Sequence, residues 1–365
     1  MSLQFWIGGA GSGKSVAGIR RCIEEETRRN QEEGAKLSSG RGCFLLVPEQ
    51  FTLQTQSELL DLHPRHGTMD IDVLSFPRLA LRVYEELGLP MPVLLDDLGK
   101  TLLLRKLAAD HVSELVLFGR NMDKPGFLDE CKSILSEFFQ YRVDTETIAS
   151  WEADAKNRPM FAAKCHDLKV LLELFRQGLE KNEIPEEELL CDFARHIPES
   201  EWLKESLIVL DGFTGFTPCQ MEVLGGLLRT AKEVIVTLTV GSGRKMADIR
   251  GEEDLFALSR ATYDQVGELA EKNGVTILPD RYLTPEGEVP YRFRKSEELA
   301  RLERAFDTAK AQKAAGTDGK AQKEDGTRRP SKNGEPDVSL HICRSPEDEI
   351  SFVAGQIRSL VQSGH

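Results

Sequence analysis

Gly8-Gly9-Ala10-Gly11-Ser12-Gly13-Lys14-Ser15 stands between the apolar run Leu3-Gln4-Phe5-Trp6-Ile7 and the helix-like Val16-Ala17-Gly18-Ile19-Arg20-Arg21-Cys22-Ile23. Glycines at this density let a backbone curl until successive N–H groups point at one phosphate, and the following helix turns its positive N-terminus on the same anion. Lys14 is then placed for the outer phosphates. The Ser15 hydroxyl suits a magnesium ion that completes its shell with phosphate oxygens and water. The stretch predicts a strand, a phosphate-binding loop (P-loop) and a helix, with Mg-ATP as the cofactor held by Gly8 through Ser15.

Outward from the loop, Ile19 to Glu33 reads as an exposed, charged helix and Gly34 to Gly42 as a loop. Cys43-Phe44-Leu45-Leu46-Val47 is a short continuous apolar run, the pattern of a strand buried on both faces, and it stops at Pro48. Phe51 to Leu62 reads as a helix, Asp70 to Ser75 as a strand, and Arg78 to Tyr84 as a helix. Strands that alternate with helices in this way imply a parallel sheet with right-handed crossovers. The pattern returns late, with strands at Ser206 to Asp211 and Glu233 to Val240 around a helix at Gln220 to Thr230. Phe256 to Lys272 adds a helix, Val275 to Leu278 a short strand, and Ser296 to Phe306 another helix.

Between these parts, Leu98, Leu102, Leu103, Leu107, Phe127, Ile134, Leu135, Phe138, Phe139, Leu168, Leu171, Leu172 and Phe175 recur at three- and four-residue intervals. The spacing predicts an all-helical insertion whose apolar stripes form its core. Thr308 to Pro336 lacks large apolar residues and repeats Ala311-Gln312-Lys313 as Ala321-Gln322-Lys323, so a disordered linker is expected there. Val338 to Cys343 then reads as a strand and Pro346 to Gln362 as a helix. That is the opening of a second α/β domain, and the expectation is a fragment of a longer protein.

Composition sets outer bounds. The 365 residues are 40% hydrophobic and 29% charged, ordinary for a globular protein of one large or two medium domains. No apolar run is long enough to span a bilayer and the N-terminus runs straight into the loop, so a cytoplasmic protein without a membrane partner is expected. A net charge of −13 opposes whole-surface attraction to nucleic acid, although a local positive track remains compatible with it. The seven cysteines are scattered singly and read as separate reduced thiols without a metal site, and His63 and His66 have no clustered partners.

The motif that discriminates among nucleotide-binding proteins is Leu207-Ile208-Val209-Leu210-Asp211-Gly212-Phe213-Thr214-Gly215-Phe216-Thr217-Pro218-Cys219-Gln220, an apolar strand that delivers Asp211 to the edge where a nucleotide's magnesium would sit. With Val47-Pro48-Glu49-Gln50-Phe51-Thr52 and Leu74-Ser75-Phe76-Pro77-Arg78-Leu79 before it, the order of motifs resembles the N-terminal portion of AddB, the second subunit of the bacterial AddAB helicase–nuclease. AddB is itself similar to superfamily 1 helicases of the UvrD/Rep type. The resemblance covers Leu3 to His365 apart from the linker.

The resemblance implies a RecA-like P-loop domain in two parts, residues 1–93 and 203–307, around a helical insertion at 94–202. A linker at 308–336 and the start of a second RecA-like domain at 337–365 follow. It also implies an AddA-like helicase/nuclease partner in a heterodimer and a place in double-strand-break repair by homologous recombination. In active relatives the acidic motif is Asp-Glu, the aspartate serving magnesium and the glutamate the attacking water. Here Gly212 stands in the glutamate's place. Losing a general base commonly lowers a rate by roughly 10²- to 10⁴-fold, so ATP binding without efficient hydrolysis or unwinding is expected.

The family's second subunit is implicated in gripping single-stranded DNA and recognising the regulatory Chi sequence. Single strands ask for aromatic platforms, amides that meet base edges, and arginines. Gln50, Thr52, Phe76, Arg78 and Phe213, each after a strand end, match the family's DNA-reading positions. The family's C-terminal nuclease domain and its cysteine-held iron–sulfur cluster have no counterpart in these residues. Two rival readings are an active DNA-stimulated ATPase that uses another carboxylate, such as Glu49, and a small-kinase-like phosphotransferase with the helical insertion as lid. The Asp211 to Gln220 motif speaks against the second.

Overall fold

A computed structural model describes residues 1–33, 42–155, 157–179, 183–241, 243–283, 289–303 and 337–364. It groups them into two compact units, Met1–Glu286 and Gly287–His365. The expected linker at 308–336 and most of the loop expected at 34–42 lie outside the described residues.

The first unit runs β1 (Ser2–Gly8), α1 (Lys14–Glu33), β2 (Cys43–Leu46), α2 (Thr52–Leu62), β3 (Ile71–Leu74), α3 (Phe76–Leu87) and β4 (Val93–Leu95). Then come α4 (Asp97–Asp110), α5 (Pro125–Tyr141), α6 (Thr145–Asp154), α7 (Pro159–Gly178), β5 (Glu183–Pro185) and α8 (Leu189–His196). It closes with β6 (Leu207–Leu210), α9 (Pro218–Thr230), β7 (Glu233–Thr239), α10 (Ala257–Lys272), β8 (Thr276–Ile277) and β9 (Arg281–Tyr282). The main sheet has the order β3-β2-β6-β7-β1-β8, with β9 also beside β1, and its pairs are parallel.

Alternation along the strands fills both faces of the sheet, because successive side chains of a strand point to opposite sides. Phe5, Ile7, Phe44, Leu46, Ile208 and Leu210 enter one core, under α3, α8, α9 and α10. Trp6, Leu45, Val47, Val209 and Ile235 enter the other, under α1 and α2. Every residue of β2 and β6 is buried, as central parallel strands require. Each such side chain contributes about 1.5–3 kcal/mol by leaving water.

Helix ends follow local chemistry. α9 begins with a capping box in which Thr217 and Gln220 bond each other's backbone N–H, with Pro218 just inside. Asp96 caps α4 through the Gly99 N–H at 2.8 Å, and Asp144 caps α6 through Thr147 N–H at 2.7 Å.

The region expected to be entirely helical contains two short parallel strands, β4 and β5, with Leu94 beside Ile184. Its own core gathers Leu104, Leu128, Leu135, Phe139, Leu171 and Phe175. Asp167, 0% exposed, accepts the backbone N–H groups of Val116, Leu117 and Phe118 at 2.7, 2.7 and 2.8 Å and so fastens that loop to α7. α8 packs elsewhere: Leu189, Phe193 and Ile197, spaced four apart, bury against the sheet. A hydrogen bond from the Tyr84 hydroxyl to Asp192 ties α8 to α3.

Cys191 of α8 and Cys219 of α9 are joined by a disulfide, with Cα atoms 5.1 Å apart. This corrects the expectation of seven separate thiols. The packing of α8 against α9 brings together two cysteines that lie 28 residues apart in the chain.

The second unit holds α11 (297–303) and α12 (Pro346–Gln362). Residues 289–303, expected with the sheet domain, fall in this unit. The strand expected at Val338–Cys343 does not form. A strand needs a neighbour for its backbone groups, and among the described residues of this unit none is present. Leu340 and Ile342 are 90% and 91% exposed. No helix among the described residues is long and apolar enough to cross a membrane.

Candidate functional site

The carboxyl ends of the parallel strands form one edge, and sheet order decides what stands beside what. β1 opens into the glycine-rich loop, which turns into α1 at Lys14. Gly13 has φ +93°, a left-handed conformation that a side chain would strain, and the space its Cβ would occupy is open to at least 4 Å. The Lys14 ammonium donates to the carbonyls of Gly8 and Gly9 at 3.0 and 2.9 Å, which holds it over the loop. Ser12 folds down over Gly8, and its buried hydroxyl has no hydrogen-bond partner. Ser15 is the second residue of α1 and half-buried. An open cradle, a helix N-terminus, a lysine at its lip and an unsatisfied hydroxyl form a loop chemically suited to an anion with several oxygens.

Asp211 follows β6 directly. Its N–H donates to the Leu46 carbonyl at 2.9 Å, extending the β2 ladder by one bond, and its buried Oδ1 accepts from the Thr237 hydroxyl at 2.6 Å. β7 lies between β6 and β1, so Asp211 is two strand spacings, roughly 10 Å, from the strand that carries the loop. Thr237 was not foreseen from the sequence. A hydroxyl inside the apolar run Val234-Ile235-Val236-Thr237-Leu238 was the available signal.

Gly212 has φ +79°. A Cβ there would stand 3.6 Å from Pro48 Cδ and 3.9 Å from Phe51 Cδ2, beside the end of β2. The turn sends the chain into Phe213, whose ring lies 5.3 Å from Phe76 and 5.2 Å from Phe216 between centroids.

Of the residues matched to DNA reading, the structure gathers all five at the ends of the adjacent strands β3, β2 and β6 but exposes only some. Gln50 and Arg78 are exposed, with Arg78 3.8 Å from Glu49, and Phe213 is half-buried. Phe76 is 2% exposed and belongs to the sheet core: as the first residue of α3 it plugs the gap between helix and sheet. Thr52 is also buried, and its hydroxyl donates to the Glu49 carbonyl at 2.9 Å, so that donor closes a turn and does not face solvent. Phe51, not singled out from the sequence, is 43% exposed beside Gly212. Its place between Gln50 and Thr52 was the signal.

Fold and site together define a parallel α/β protein with a glycine-rich loop at one part of its sheet edge and an aromatic–polar cluster at the other. The chain belongs to the AddB N-terminal family, whose sequence pattern matches residues 5–303. It is 39% identical over 309 residues to the B subunit of the ATP-dependent helicase/deoxyribonuclease of Lachnoclostridium phytofermentans, a match that covers 83% of this chain and 26% of that protein. It is 37% identical over 309 residues to the protein of the same name from Symbiobacterium thermophilum, covering 83% and 25%. Against the Bacillus cereus protein of that name it is 30% identical over 367 residues, covering 99% and 29%. The chain thus spans between a quarter and a third of the length of these curated relatives.

Proposed function

We propose that this chain is the ATP-binding, single-strand-holding part of a helicase-like subunit in an AddAB-type helicase–nuclease that acts in double-strand-break repair, with little or no ATP-driven unwinding of its own. Gly8 to Ser15 and Asp211 are the groups suited to Mg-ATP: the loop amides and Lys14 for phosphates, Ser15 and Asp211 for the magnesium shell. Bound nucleotide would supply a triphosphate that braces this edge of the sheet. Thr237 holds the Asp211 carboxylate in place.

The observation that carries the reading is Gly212. It follows the acidic residue where a water-activating carboxylate would stand, and it has a backbone turned toward β2. The rival carboxylate, Glu49, is badly placed for the task. It follows β2, three strand spacings or roughly 14 Å from β1, and it lies beside Arg78. The DNA contact falls on Gln50, Phe51, Arg78 and Phe213, with Phe76 as the floor beneath Phe213. Chi recognition by this cluster and an AddA-like partner complete the proposal. The relatives are each named as one subunit of a larger enzyme, which supports an assembly.

Two measurements on the full-length subunit test this. Binding of a fluorescent ATP analogue is expected in the wild type and is expected to be lost in Lys14→Ala, while ATP turnover stays low with and without single-stranded DNA. Rapid DNA-stimulated hydrolysis that depends on Lys14 would overturn the reading. Photo-cross-linking to single-stranded DNA, with the partner present, is expected to mark Phe51, Arg78 or Phe213. Cross-links confined to other surfaces would remove the assigned cluster.

A further inference from the structure

The bonded pair Cys191–Cys219 lies where the returning helix of the insertion meets the helix that follows the acidic strand. Cys219 is the second residue of α9, next to the Thr217–Gln220 capping box and a few residues after Phe213. It is 1% exposed. Cys191 is half-buried and opens into a cavity of about 520 Å³ lined also by Arg195, Met221, Glu222, Arg229 and Leu269. Glu222 is engaged by Arg142 in an ion pair, Arg229 donates to Asn273 at 2.7 Å, and Arg195 stands 3.6 Å from Asp192. The cavity is therefore lined by half-buried Cys191 together with two arginines, and its one carboxylate is already paired.

We propose that Cys191 and Cys219 form a reversible thiol–disulfide latch on the Phe213 loop, with Cys191 as the attacking thiol and a small carboxylate-bearing disulfide as its reagent. The Cys191 thiolate attacks one sulfur of that reagent, forming a mixed disulfide and releasing one small thiolate. The Cys219 thiolate then attacks the Cys191 sulfur, which forms the Cys191–Cys219 bond and releases the second. Two protein thiols are oxidised, one small disulfide is reduced to two thiols, and the protons of the two cysteines end on those thiols. The order follows from access: a small molecule in the cavity meets Cys191, whereas Cys219 is covered and meets only Cys191.

The Cα separation of 5.1 Å lies within the roughly 4.4–6.8 Å that disulfides span. What changes is restraint. Oxidised, the first turn of α9 is covalently tied to α8. Reduced, the segment from Gly212 to Gln220 is held by the capping box and the packing of Phe213 and Phe216. The chemistry does not depend on the DNA reading, and its test uses no DNA.

The full chain is equilibrated in buffers of reduced and oxidised glutathione, unfolded with an alkylating agent and analysed by mass spectrometry. Cys191 and Cys219 are expected to lose alkylation together as the buffer becomes oxidising. Cys219→Ser is expected to accumulate one glutathione adduct at Cys191, and Cys191→Ser at least roughly tenfold less at Cys219. Amide exchange across residues 213–220 is expected to quicken by roughly tenfold on reduction. No adduct at Cys191, equal adducts in the two variants, or exchange unchanged by reduction would each overturn the latch.

Discussion

Replacing Gly212 with glutamate restores the Asp-Glu pair of an active motor in sequence, and the structure predicts that it restores neither the site nor the rate. The backbone at 212 has φ +79°, where a residue with a Cβ loses about 1–2 kcal/mol relative to glycine. Space is not the obstacle. The nearest atoms to the new Cβ, Pro48 Cδ at 3.6 Å and Phe51 Cδ2 at 3.9 Å, are at ordinary contact distance. Those neighbours also place the new Cβ beside the end of β2, on the side of β6 opposite β7 and β1, and the carboxylate is expected to leave the chain on that side. A correctly placed general base is worth roughly 10²- to 10⁴-fold in turnover. One aimed at Pro48 and Phe51 is expected to give less than about tenfold. The assay pairs urea unfolding with steady-state ATP turnover for the wild type, Gly212→Ala and Gly212→Glu. Both variants are expected to lose about 1–2 kcal/mol, which assigns the loss to the backbone and not to the charge. A hundredfold gain in DNA-stimulated turnover by Gly212→Glu, without loss of stability, would refute this account of the edge.

Lys14→Ala is expected to weaken ATP binding by roughly 10- to 100-fold, the worth of its charge-assisted bonds to phosphate, and to shift stability by less than about 1 kcal/mol; titration calorimetry that finds unchanged affinity would exclude the loop as the nucleotide site. Asp167→Asn replaces a buried acceptor of three backbone N–H groups with an amide that can accept fewer, so unfolding is expected to show a loss of about 3 kcal/mol. A change within about 0.5 kcal/mol would show that the 116–118 loop does not depend on it. Glu25 is held below the ordinary glutamate range by a hydrogen bond from Arg28 at 2.6 Å, with Lys232, Arg21 and Arg29 adding to it. Its stabilising effect is therefore complete above the unfolded value of about 4.3 and is lost as pH falls through the lower folded value. Glu25→Gln is expected to be less stable at neutral pH and to have a flatter stability curve below about pH 4. Parallel curves for the two proteins would contradict this.

Much of the sheet was legible because its strands are short, continuous apolar runs that end at a proline, a glycine or an acid. Cys43–Leu46, Leu207–Leu210 and Glu233–Thr239 are such strands. The α9 start was legible too, from Thr217, Pro218 and Gln220. What stayed hidden depends on partners distant in the chain. β9 is two residues long and exists because Trp6 and Ile7 offer it an edge, while Val338–Cys343 has the composition of a strand and no such edge among the described residues of its unit. At the site, the types of residue were readable and their exposure was not. Phe76 and Phe213 are both phenylalanines after strand ends, yet the first opens α3 and packs into the sheet core while the Gly212 turn leaves the second half open. The Thr237 bond to Asp211 and the Cys191–Cys219 bridge each join elements more than twenty residues apart, beyond any local pattern.

Under the proposed function, Gly212 does more than omit a catalytic acid. The residue after Asp211 meets two demands that point opposite ways. To activate water it needs a carboxylate directed toward the loop on β1. To bring Phe213 over Phe76 the chain must turn at once toward β2, and the turn observed uses φ +79°. Glycine meets the second demand without strain and cannot meet the first; glutamate in a right-handed conformation would do the reverse. The Leu46 carbonyl that accepts the Asp211 N–H, and the Thr237 hydroxyl that holds its carboxylate, fix the chain up to that residue. The choice between the two directions is therefore made at position 212. On this reasoning, recovering hydrolysis would require rebuilding the Phe213–Phe216 turn along with the side chain, and the same rebuilding would dismantle the aromatic cluster proposed to hold the strand.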